Sequence, residues 1–229
     1  VTTIGAVVLL TMDDPETYED ADTDALGMGR LLEVVREAFA QRDVRALVVH
    51  YYVLYAAVTY LVFVFLQPVF ETVVVDLGVA LARVESLLGW FYAAYSLVGA
   101  GLSYYTGVIR DVVGMRTWFV VLPLVVGGAL VGMAVVPVLA LPTFLVARGL
   151  ADVTRSFAAQ YVNDRVDTVG RATVLSAMAM VSGLTVVPFQ LGSGVISDVV
   201  SPLVALAVAG GVLVVGSALV LAWEVPIAE

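Results

Sequence analysis

The chain has no cysteine and no lysine, and it has one histidine, His50. Without cysteine there is no disulfide, no thiolate metal site and no cysteine nucleophile. A single imidazole leaves no histidine cluster from which to build a metal centre. Neither an H-E-x-x-H helix motif nor a G-x-x-x-x-G-K-S/T phosphate loop occurs, which removes zincin chemistry and nucleotide-driven work by a P-loop. With no nucleophile–base pair or ligand set at hand, neither an enzyme nor a cofactor is expected. Basic charge is scarce too: eleven arginines stand against twenty acids, for a net charge of −9. That balance argues against nucleic acid as a partner, because phosphate binding needs cations. Acidic, lysine-free and cysteine-free composition also looks halophile-like, a statement about habitat only.

What the chain has in abundance is apolar sequence. It is 61% hydrophobic and 14% charged, with a mean hydropathy of +1.01. Six long apolar runs fill residues 46–229, each about 20 residues, the length a helix needs to cross ~30 Å of hydrocarbon. They run from about Ala46 to Val69, Ser86 to Ile109, Trp118 to Val136, Val138 to Val162, Ala172 to Ile196 and Leu203 to Trp223. The expected fold is an all-α membrane protein with six transmembrane helices. Pro68, Pro137, Pro142 and Pro202 fall at or near span ends. Pro123 and Pro188 fall inside spans, where each would kink the helix or free a carbonyl.

Residues 1–11 are apolar but too short to span, and read as the end of a preceding transmembrane helix in a longer chain. Residues 12–45 form an acidic linker. Within it, Leu31, Leu32, Val35, Phe39 and Val44 approximate helical spacing among charged neighbours, which predicts an amphipathic helix. It lies either on the membrane surface or against the cytoplasmic face of the protein.

Arginine placement sets the orientation. Arg30, Arg36, Arg42 and Arg45 precede the first span, Arg110 and Arg116 follow the second, and Arg165 and Arg171 follow the fourth. The opposite loops carry only Arg83. The arginine-rich side is cytoplasmic by the positive-inside rule. The chain is then a multi-pass protein of the cell membrane, with its linker and C-terminus cytoplasmic.

Between the second and third spans the sequence reads Gly107-Val-Ile-Arg-Asp111-Val-Val-Gly114-Met-Arg116. Its spacing resembles the G-x-x-x-D-x-x-G-x-R loop motif of the major facilitator superfamily, which follows the second span of each six-span half. The family's basic residue after the acid is Val112 here. A second likeness is the fourth span, Arg148-Gly-Leu-Ala-Asp152-Val-Thr-Arg155, similar to the family's arginine-bearing fourth span. The polar stretch from Asn163 to Thr173 also resembles the family's loop before the next span. The resemblance covers nearly the whole chain and implies the C-terminal half of a secondary transporter, with residues 12–45 as the family's central loop.

What the resemblance implies is alternating access by two halves, with Gly107, Asp111, Gly114 and Arg116 acting as a conformational-switch loop. It implies two inverted three-helix repeats, and Gly194-x-x-x-Asp198 echoes Gly107-x-x-x-Asp111 three spans later. Expected partners are the bilayer, the N-terminal six-helix half of the same transporter and a small-molecule substrate. Arg148 and Asp152 share a helix face near mid-membrane; they either lock helices together or line the cavity and sense substrate or a coupling ion. Arg155, nearer the cytoplasm, reads as snorkelling. Tyr55, Gln67, Tyr92, Tyr95 and Ser96 are further cavity candidates, with Gln67, Tyr92 and Tyr95 preferred because the equivalent spans line the cavity in relatives. His50, Tyr51 and Tyr52 read as an interfacial aromatic belt. Gly99, Gly101, Gly127, Gly128, Gly132, Gly210, Gly211 and Gly216 are expected at helix–helix contacts. The rival reading is a six-span scaffold or self-assembling membrane protein with no transport of its own. The cargo stays open between an anionic or zwitterionic solute, favoured by the two arginines around one acid, and the small drug-like molecules suggested by the family's efflux members.

Overall fold

The computed structural model describes residue 36, residues 42–165 and residues 171–227, which are helical with short connections and contain no strand. The expected membrane-end segment at 1–11 and most of the amphipathic linker helix lie outside the described residues. Helix α1 (Arg42–Leu47) runs without a break into a π-helical stretch, Val48–Tyr55, and then into α2 (Ala56–Asp76). Then follow α3 (Leu81–Tyr104), the short α4 (Thr106–Val113), α5 (Met115–Met133), a 3-10 turn at Pro137–Leu139, α6 (Ala140–Asn163), α7 (Arg171–Val199) and α8 (Pro202–Trp223).

Among the described residues, five stretches are long and apolar enough to cross a membrane: Val44–Asp76, Met115–Met133, Pro137–Asn163, Val174–Val199 and Pro202–Trp223. This is the helix set of a multi-pass membrane protein. The expected second span corresponds to the 24-residue α3, about 36 Å long at the α-helical rise, which is not among these five. It falls outside the apolar five because Arg83, Glu85 and a run of glycine, serine and tyrosine residues dilute its hydropathy.

Two boundaries differ from expectation. The first span continues through Asp76, so Pro68 sits inside α2 rather than at its end. The Thr72 hydroxyl donates to the Pro68 carbonyl at 2.8 Å, one turn on. The second span does not continue to Ile109. It stops at Tyr104, and α4 follows as a separate helix. Gly114 then closes that helix at φ +77, a conformation only glycine adopts cheaply.

The continuous first helix lies at the centre of the bundle. Its α2 segment packs on α3, α6, α7 and α8, and Leu61, Leu66 and Val69 on it are buried. The most extensive helix pairs are α5 with α8 and α3 with α6. Glycine makes both possible. A Cβ on Gly127 would lie 2.8 Å from the Gly210 carbonyl oxygen, and one on Gly149 would lie 2.7 Å from Leu102 Cβ. Both are closer than non-bonded atoms tolerate: α5 and α8 meet backbone to backbone, and Leu102 of α3 packs directly on the bare backbone of α6 at Gly149. Gly99 and Gly216 are also close contacts, against Arg148 and Leu54. Gly132 meets Leu139 at an ordinary distance, whereas Gly101, Gly128 and Gly211 face open space.

The lone histidine has a structural task. His50 is fully buried, and its Nε2 lies 2.7 Å from the Phe119 carbonyl oxygen. That carbonyl belongs to the residue four before Pro123, whose ring nitrogen has no hydrogen to offer it. A carbonyl can only accept, so Nε2 carries the proton and Nδ1 is the bare nitrogen. His50 therefore satisfies the acceptor that Pro123 orphans inside an apolar bundle. The expected aromatic belt is accordingly corrected: His50 and Tyr51 face inward rather than toward an interface.

At one end of the bundle the chain is tied across its length. Arg45 on the first helix donates to Glu224, beyond the end of α8, with Nε 2.9 Å from Oε2. The guanidinium also sits 5.0 Å from the centre of the Trp223 ring, a cation–π distance.

Candidate functional site

A single helical stripe on each of three elements opens an 880 Å³ cavity in the bundle. The first helix presents Tyr51, Tyr52, Tyr55, Thr59, Tyr60 and Phe63. Helix α6 presents Ala147, Arg148, Ala151, Asp152, Arg155 and Ala159, and α7 presents Leu175, Ala179, Ser182, Gly183, Val186 and Gln190. Tyr95 enters from α3. The volume has a simple cause. Small residues, Ala147, Ala151 and Ala159 on α6 and Ala179, Ser182 and Gly183 on α7, occupy much of the wall facing the tyrosines of the first helix. The π-helical stretch contributes three of those tyrosines. Its wider turn, seen where the Ala56 N–H reaches back five residues to the Tyr51 carbonyl, places Tyr51, Tyr52 and Tyr55 together on the cavity side. Such insertions recur at functional sites.

The charge sits on α6. Arg148 Nε donates to Asp152 Oδ2 at 2.9 Å, an i,i+4 pair whose side chains are 50% and 27% exposed. Asp152 is thirteenth of the 24 residues of this helix, at its midpoint. Arg155 follows three residues later on the same face. Tyrosines bracket the group. The Tyr95 hydroxyl lies beside the Arg148 guanidinium, and the Tyr51 hydroxyl lies beside that of Arg155. Gly99 admits this geometry: a Cβ there would lie 3.2 Å from Arg148 Cγ, so α3 comes close to the stem of the arginine. Behind the cavity wall, Trp118 Nε1 donates to Thr154 Oγ1 at 3.0 Å and stacks edge-on against Phe157 at 5.6 Å, which holds α5 to the back of α6.

Of the expected cavity residues, the structure brings together Arg148, Asp152, Tyr55 and Tyr95. Gln67 is exposed one turn beyond the cavity, and Ser96 is exposed and does not line it. Tyr92 does not line the cavity; its ring meets that of Tyr95 edge-on at 6.2 Å. Arg155, read from the sequence as snorkelling, lines the cavity instead. Tyr51, Tyr52, Thr59, Tyr60, Ser182 and Gln190 are lining residues that sequence reasoning missed. The spacing 51, 52, 55, 59 is helical and was available as a signal, but only the neighbouring helices reveal which face is enclosed.

The expected switch loop is split between two helices. Gly107 and Asp111 belong to α4, Gly114 is the left-handed turn, and Arg116 opens α5. Asp111 Oδ1 lies 3.6 Å from Arg110 Nε in an exposed pair. Gly114, Arg116 and Thr117 share a smaller cleft with Tyr161 and Arg165, where the Arg165 guanidinium covers the Tyr161 ring at 3.6 Å. Among the described residues no group of three or more acidic or histidine side chains converges as a metal site would require.

No family model matches this sequence, and no curated protein or solved structure matches it.

Proposed function

We propose that this chain is the C-terminal six-helix half of a major facilitator-type secondary transporter, moving a small molecule across the cell membrane by alternating access. The observation that carries the reading is the open cavity with a charged triplet, Arg148, Asp152 and Arg155, that straddles the midpoint of a membrane-length helix. Charge at that depth is costly and is retained where it meets solute, ion or a moving partner. The Gly107–Arg116 turn supports the same reading: its spacing matches the family loop, and Gly114 is conformationally required.

The packing pattern supports an inverted three-plus-three repeat. Number the spans one to six as the first helix, α3, α5, α6, α7 and α8. Exchange one with four, two with five and three with six. The pair two–four then maps onto one–five, three–four onto one–six, and one–two onto four–five, and all of these are contacts. Three–six and one–four map onto themselves. The one departure is five–six, which has no comparable contact between two and three. In this reading the N-terminal half faces α3 and α7, the helices whose Gly89, Gly101, Gly183, Gly192 and Gly194 look onto open space. We assign no enzymatic step and no cofactor.

The same open faces on α3 and α7 also suit the alternative, a self-assembling scaffold. Reconstitution of the native protein into liposomes separates the two. Solute flux that is lost in Arg148→Gln or Asp152→Asn, with helical content unchanged, supports transport. Oligomers that form normally while no solute gradient ever dissipates support the scaffold.

A further inference from the structure

We propose that the cavity binds a singly charged organic anion, a carboxylate carried on an apolar or aromatic body, and that Arg155 receives its charge. The proposal deepens the transporter reading and rests on it for its physiological meaning, while the binding itself is testable without transport.

The argument is one of charge cancellation. Three charged groups line the cavity, all on one face of α6. Arg148 and Asp152 are joined at 2.9 Å and cancel. Arg155 forms an ion pair with no carboxylate among the described residues. Its side chain is exposed and lies beside the Tyr51 hydroxyl, an uncharged group that leaves the guanidinium's charge intact. The other described acids on these helices, Asp164 at the end of α6, Glu71 and Asp76 at the far end of α2, Glu85 near the start of α3 and Asp198 at the end of α7, do not line the cavity. A guanidinium inside a membrane bundle with no carboxylate partner among the described residues is a standing demand for an anion. Its planar fork suits a carboxylate, and the low dielectric of the surroundings strengthens that pairing.

The rest of the wall limits what the anion is attached to. Tyr52, Tyr60 and Phe63 offer ring faces and edges rather than further cations, and the 880 Å³ of space greatly exceeds a bare inorganic ion. A second negative charge on the ligand would meet Asp152. A zwitterion would bring an ammonium to a carboxylate already bound by Arg148. One negative charge and an apolar body is the combination that balances the three charged groups of the cavity.

The test uses the full chain in lipid nanodiscs and four probes measured by equilibrium binding: 4-phenylbutyrate, its neutral amide 4-phenylbutyramide, acetate, and zwitterionic phenylalanine. The expected order places 4-phenylbutyrate first, with the other three weaker by roughly tenfold or more, the worth of one charge-assisted pair. In Arg155→Gln the acid falls to the level of the amide while the amide is unaffected, and Arg155→Lys restores part of the preference. Equal binding of acid and amide, equal binding of phenylalanine, no binding of any probe, or a preference that survives Arg155→Gln each overturns the proposal. Counterflow of the same probes by the native protein in liposomes is read separately. Charge-selective binding without counterflow leaves the anion site standing and removes the transporter reading. Counterflow indifferent to charge leaves the transporter and removes the anion site.

Discussion

The pairing of His50 with the carbonyl that Pro123 orphans makes a quantitative prediction about two residues distant in sequence. In the native bundle the Phe119 oxygen has one strong donor, His50 Nε2 at 2.7 Å. Replacing His50 with leucine removes that donor and leaves a buried acceptor unsatisfied, a cost of about 1–3 kcal/mol. The observed loss should lie toward the lower end, because His50 Nδ1 is itself buried without a partner and its removal recovers part of that penalty. Pro123→Ala changes the balance: residue 123 regains an N–H four positions after Phe119, and the helix ladder closes. His50→Leu should then cost less by about 1 kcal/mol, since the carbonyl is no longer orphaned. The Nδ1 contribution and the intrinsic effect of removing proline both cancel in the double-mutant cycle. The assay is reversible unfolding of the four proteins in mixed micelles of increasing SDS content, followed by circular dichroism. A histidine effect equal in the proline and alanine backgrounds, within about 0.5 kcal/mol, refutes the reasoning.

Further outcomes follow from the same geometry. Gly127→Ala and Gly210→Ala should each destabilise by about 1–3 kcal/mol through overpacking, whereas Gly128→Ala, whose Cβ meets nothing within 4 Å, should be neutral in the same unfolding assay. The Gly127→Ala/Gly210→Ala double variant should lose less than the sum, because one separation of α5 from α8 relieves both clashes. Trp118→Phe and Thr154→Val each break the 3.0 Å hydrogen bond between α5 and α6; each should cost about 0.5–1.5 kcal/mol and the pair should couple. Since the chain has no cysteine, single substitutions report cleanly on access: Thr59→Cys and Ser182→Cys should react with a water-soluble maleimide, and Leu206→Cys, fully buried, should not. Raising salt should weaken the coupling between Arg45 and Glu224 measured by paired substitutions, as expected of a partly exposed ion pair.

How much of this was legible depends on the range of the interaction. The spans were found because hydropathy is a sum over neighbours in sequence, and the Arg148–Asp152 pair was found because i,i+4 geometry is fixed within one helix. The break after Tyr104 was missed because the apolar pattern runs on into α4, and the helix ends there without a glycine or proline to mark it. That Arg155 lines the cavity was not legible, because only the tyrosines of the first helix show which face of α6 is enclosed. Of eight glycines expected at helix contacts, Gly99, Gly127, Gly210 and Gly216 make tight approaches; the sequence of one helix does not say which of its faces meets another. Gly149, which makes one of the closest approaches, sat unnoticed between more conspicuous charges.

By itself, then, the sequence determined an all-helical chain of membrane-length apolar segments, with charge confined to their ends and to the triplet on α6, because burial in lipid is decided by local length and composition. The tertiary structure decided which tyrosines share a cavity with that triplet, why the only histidine is buried beside a proline-freed carbonyl, and that Arg155 joins Arg148 and Asp152 in lining that cavity. Those are contacts between residues far apart in the chain, and only packing fixes their partners.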